Sequence, residues 1–71
     1  MKEIIQEILK DNGIEGELNS IFKDKNKEIY YIVIDKNEFL NNIYKLNFNT
    51  KEISESGINL LDLIENYKKI L

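Results

Sequence analysis

Glu28-Ile29-Tyr30-Tyr31-Ile32-Val33-Ile34-Asp35 is the stretch that decides the fold. It is rich in β-branched and aromatic residues and apolar at odd and even positions alike, the pattern of a strand buried on both faces. A central strand needs neighbours, and the flanks supply them. Upstream, residues 14–23 read as extended but weakly patterned, with Gly16 marking a bulge or the start of the strand. Asp24-Lys25-Asn26-Lys27 forms a polar turn, so a hairpin linking 17–23 to 28–35 follows. Downstream, Asp35-Lys36-Asn37-Glu38 breaks the run, and residues 36–41 fit either a helical turn or the opening of a strand. Tyr44, Leu46 and Phe48 then alternate with Lys45, Asn47 and Asn49, as in a half-buried strand. Asn49-Thr50-Lys51 turns the chain, and Glu52-Ile53-Ser54 adds a short fourth strand.

Helices close both ends. In residues 2–12, Ile4, Ile5, Ile8 and Leu9 form one apolar stripe, and Asn12-Gly13 stops the helix, with Ile14 placed to complete the cap. A second helix is predicted near 58–70, with Asn59 and Asp62 as an imperfect capping pair and Lys68 and Lys69 at its C-terminal end. The predicted architecture is α+β: N-terminal helix, three- to four-stranded antiparallel sheet, C-terminal helix (α-β-β-β-α), in one small domain over 1–71.

Seventy-one residues bury only about 60% of the surface that the unfolded chain exposes, so stability rests on a small core. No disulfide or thiolate site is possible without Cys, and the absence of His removes the ordinary structural zinc patterns. The first apolar residues are interrupted by charge, unlike a secretory signal or a membrane span, and a cytoplasmic location is expected. Net charge is −3 and uneven: residues 1–35 hold five Lys against eight acids, residues 36–71 five against five. With no Arg and no basic cluster, direct nucleic-acid binding is disfavoured. Abundant Ile, Lys and Asn beside absent Ala, Pro and Arg point to an A+T-rich genome, such as a low-GC bacterium or its phages.

Catalytic chemistry is poorly supplied. Ser-His-Asp and Cys-His nucleophiles cannot be assembled. Glu15 and Glu17 share one face of an extended segment, but a pair on so small a domain reads as a solvated strand edge. Asp24-x-Asn26-x-Glu28 resembles the opening of a calcium loop; Ile29 then stands where that loop needs Gly, and Asp35 where it needs Glu. Gly13, Gly16 and Gly57 form no phosphate-cradling loop. The element order also resembles double-stranded-RNA-binding domains, yet the second helix begins Ser56-Gly57-Ile58-Asn59 without the lysines that grip phosphate there, so no family follows from it. Neither catalysis nor a cofactor or metal is expected.

What remains is binding. If both helices cover one face of the sheet, the other is open and takes either Ile29, Tyr31 and Val33 or Tyr30, Ile32 and Ile34; if one helix covers each face, nothing is left open. The reading adopted is a small protein-binding module, regulatory or inhibitory, with Tyr30, Ile32, Ile34, Ile43 and Lys45 as its apolar and aromatic interface. An alternative gives Glu15 and Glu17 an electrostatic part in an acidic, phosphate-mimicking inhibitor of a nucleic-acid enzyme, of the phage or mobile-element anti-defence type. A second alternative is an obligate homodimer through the sheet face or an edge strand. The expected partner is thus another protein or a second copy, with no membrane and no metal.

Overall fold

The central strand is β2 (Ile29–Asn37), flanked antiparallel by β1 (Glu17–Lys23) and β3 (Leu40–Asn47). The computed structural model describes residues 1–26 and 28–71, so Lys27 of the expected polar turn lies outside the described residues. Beyond β3 lies β4 (Glu52–Glu55), and beyond β1 lies β5 (Lys68–Lys69), giving the sheet order β4-β3-β2-β1-β5. Helices α1 (Lys2–Asp11) and α2 (Leu60–Asn66) complete an α+β fold, with five strands among the described residues where the sequence suggests three or four.

β2 is apolar on both sides because a helix covers each. Tyr30, Ile32 and Ile34 pack with Ile21, Tyr44 and Leu46 beneath Ile5 and Leu9 of α1. On the opposite face Val33 packs with Phe22 and Ile43 beneath Leu63 of α2. This corrects the expected interface. Tyr30, Ile32 and Ile34 are 5%, 0% and 1% exposed, and Ile43 is 8% exposed, so four of the five residues assigned to binding are core. The register gives the reason: Tyr30 stands opposite Leu46 and Ile32 opposite Tyr44, whereas Tyr31 faces Lys45 and Val33 faces Ile43. Directly opposite residues share a face, so the expected set had mixed the two faces. Lys45 alone of the five is exposed.

Local chemistry explains the element ends. α1 stops in a Schellman arrangement: the Ile14 amide donates to the Leu9 carbonyl (2.9 Å) and that of Gly13 to Lys10 (3.0 Å), with Gly13 at φ +70°. In β1 a bulge between Leu18 and Ser20 breaks the alternation, so Leu18 and Ile21 both face α1 although three residues apart. Between β2 and β3 the chain turns at Glu38-Phe39, where the Asn37 Oδ1 accepts from the Phe39 amide (2.9 Å). Neither turn residue has positive φ, and the twist mismatch of such a turn is absorbed by a register shift between Asp35 and Asn37.

The expected helix over 58–70 is cut short. Asn59 caps it, its Oδ1 accepting from the Asp62 amide (2.9 Å), but Tyr67 is already extended (φ −125°, ψ 155°). The chain then pairs with β1, Lys69 opposite Phe22 and Lys68 opposite Lys23, and Ile70 donates its amide to the Ile21 carbonyl (2.9 Å). Satisfying the backbone of β1 outweighs another turn of a short helix. Among the described residues no helix is long and apolar enough to cross a membrane.

Candidate interaction surface

α2 has seven residues, too few to persist without packing. Its inward side carries the fully buried Leu63, with half-buried Leu60 and, just past its end, Tyr67 against the Phe22, Val33 and Ile43 cluster. Its outward side is apolar as well: Leu61 is 62% and Ile64 59% exposed. Between α2 and the β1–β5 edge runs a groove of about 410 Å³ lined by Asn19, Ser20, Phe22, Leu60, Ile64, Tyr67 and Lys69. Phe22 and Ser20 form its floor, being 4% and 2% exposed. Lys69 stands at its rim, and no carboxylate among the described residues pairs with it.

Past Tyr67 the same sheet face opens out, because α2 is too short to reach it. Tyr31 is half-buried against Tyr67, their ring centroids 5.0 Å apart and tilted by 57°. Burial pushes the Tyr31 hydroxyl above its ordinary pKa of 10.0, reinforced by the neighbouring Tyr67 hydroxyl and by the negative charge of Asp24. Lys45 lies opposite Tyr31 on this face, beside half-buried Ile29 and Asn47. Lys45 therefore borders a real aromatic surface, built on Tyr31 and Tyr67 instead of Tyr30.

Glu15 and Glu17 are both exposed just before and at the start of β1, where Glu17 stands directly opposite Asp35. Lys36, the nearby cation, is directed elsewhere: its Nζ donates to the Glu15 carbonyl (2.7 Å) and lies 5.6 Å from the Tyr44 ring centre. Asp35 instead accepts, through Oδ2, from the Asn19 side-chain Nδ2 (2.9 Å). At the β1–β2 turn, Asp24 Oδ1 accepts from the Asn26 amide (3.0 Å), so this carboxylate caps the turn.

Sequence reasoning missed the outer side of α2. A signal was present: the apolar residues of 58–71 are too many for one packed stripe on a helix, and the surplus is Leu61 and Ile64. Comparison with known protein families, characterised proteins and solved structures found no match for this chain.

Proposed function

We propose that this domain is a non-enzymatic protein-binding module, regulatory or inhibitory in role, that takes its partner on the α2 side of the sheet. The observation that carries this reading is the pair Leu61 and Ile64, each more than half exposed beside the Phe22–Tyr67 groove. The fold does not require them: α2 is anchored by Leu63, and an exposed helix position accommodates Lys or Glu at least as well as Ile. Covering the exposed part of each by a partner is worth about 1–2 kcal/mol. The chemistry of the groove favours an apolar side chain on the partner, followed by a carboxylate that meets Lys69. The lack of His and Cys agrees with a binding role.

The test uses tagged chain and its Ile64→Asp variant to capture partners, followed by amide chemical-shift mapping with the partner identified. A partner held by the native chain and by Leu40→Asp, but lost with Ile64→Asp, supports the reading if the shifts cluster on α2 and Phe22. Equal capture by Ile64→Asp overturns it.

A second reading keeps the acidic decoy. Glu17 opposite Asp35, with the Lys36 ammonium on the Glu15 carbonyl and not on a carboxylate, leaves acids at that end without an ion pair among the described residues. Binding there to a basic protein surface would collapse between low and moderate salt, whereas the α2 groove would hold its partner.

A further inference from the structure

The two lateral edges of the sheet carry opposite charge. One edge is β4, reading Glu52-Ile53-Ser54-Glu55; the other is β5 with its continuation, Lys68-Lys69-Ile70-Leu71. Neither has a strand on its outer side among the described residues, so each presents backbone N–H and C=O groups to any strand that fits. The glutamates and lysines are exposed, and the ion pairs among the described residues are Met1–Glu3 and Lys23–Glu28, so none of the four is paired among the described residues. Apolar area accompanies them: Ile70 and Leu71 are 38% and 43% exposed, and Ile53 is half-buried.

Charge on an edge strand ordinarily blocks pairing, and here it blocks pairing of like with like. A second β4 on β4 gathers four glutamates along one seam, and a second β5 on β5 gathers four lysines. The opposite combination has no such penalty. Lys68 and Glu55 lie on the α1 side of the sheet and Lys69 and Glu52 on the α2 side, so two copies in the same orientation run β5 and β4 parallel and set Lys69 beside Glu52 on a shared face. We propose that the chain associates with further copies of itself edge to edge, β5 of one copy pairing with β4 of the next. The contact is heterologous, and unless rotation closes a ring it propagates as an open row of domains sharing one continuous sheet. Four-residue edges and exposed charges make the association weak and dependent on ionic strength. It leaves Leu61 and Ile64 uncovered and shares only Lys69 with the rim of the α2 groove, so Ile64→Asp leaves the self-association intact.

Sedimentation equilibrium across a concentration series tests this, at about 0.01 M salt, where the Debye length is about 30 Å, and about 1 M, where it is about 3 Å. The expected result is an average mass that rises above 8.4 kDa with concentration at low salt and returns to 8.4 kDa at high salt. Lys68→Glu/Lys69→Glu makes both edges acidic, and Glu52→Lys/Glu55→Lys makes both basic. Each variant alone, shown folded by circular dichroism, loses the association; an equimolar mixture restores it. An unvarying 8.4 kDa for the native chain at low salt overturns the proposal, as does association that persists in each variant alone.

Discussion

Gly16→Ala tests the join between α1 and the sheet most directly. Gly16 sits at φ +127°, and a Cβ there would lie 2.6 Å from Ile34 Cγ2 and 2.7 Å from the Asp35 carbonyl oxygen. The first contact is with a side chain 1% exposed and locked in the core; the second is with the backbone of the central strand. Neither can retreat without disturbing β2. Backbone strain contributes about 1–3 kcal/mol and overpacking a further 1–3 kcal/mol or so, together about 2–6 kcal/mol. At roughly 0.05–0.15 kcal/mol per residue, a chain of this length has only about 4–11 kcal/mol to lose. Gly13→Ala is the control: φ is also positive (+70°), but nothing lies within 4 Å, so only the backbone strain of about 1–2 kcal/mol applies. Urea denaturation followed by far-ultraviolet circular dichroism separates the two. With a slope near 1 kcal/mol/M, Gly16→Ala lowers the midpoint by about 2 M or more. A midpoint no lower than that of Gly13→Ala would refute the steric argument and the placement of Gly16 against β2.

Leu63→Ala removes the buried anchor of α2 and costs about 2–5 kcal/mol by the same assay, with faster hydrogen exchange at the amides of Tyr67 and Ile70; a loss below about 0.5 kcal/mol would mean that α2 is not packed as described. The raised pKa of Tyr31 makes stability pH-dependent on the alkaline side: the contribution is complete below the unfolded value near 10 and is lost as pH rises through the folded value, because the unfolded chain ionises first. Tyr31→Phe should remove that alkaline decline, read by ultraviolet titration and urea midpoints, and an unchanged profile would contradict the burial of this hydroxyl. Asn59→Ala, which removes the acceptor for the Asp62 amide, costs about 0.5–2 kcal/mol, whereas Glu65→Ala, exposed in the same helix and without a side-chain partner among the described residues, serves as the control.

What local chemistry dictates was legible in the sequence. β2 announced itself through uninterrupted β-branched and aromatic residues, and the end of α1 through Asn12-Gly13-Ile14. Which face each helix covers was not legible, because β2 reads the same from either side and the outcome depends on where the connecting loops let the helices land. The interface assignment of Tyr30, Ile32 and Ile34 failed on that point. β1 looked weakly patterned for a definite reason: its bulge moves Leu18 and Ile21 onto one face, so a search for alternation finds none. β5 was invisible because two residues carry no period, and Lys68 and Lys69 suit a helix C-terminus as well as an edge strand.

The order of strands also has a bearing on how the chain folds. β1, β2, β3 and β4 are neighbours in sequence as well as in the sheet, each joined to the next by a short turn. Such pairings need only small loops to close and form early. The β5–β1 pairing is different: Phe22 meets Lys69 across most of the chain. Docking of α2 and β5 is therefore expected to come last on the way in and to be released first on the way out. The four-stranded meander with α1 would then exist briefly with Phe22, Val33 and Ile43 uncovered, a transient sticky face whose lifetime is set by how quickly the last dozen residues arrive.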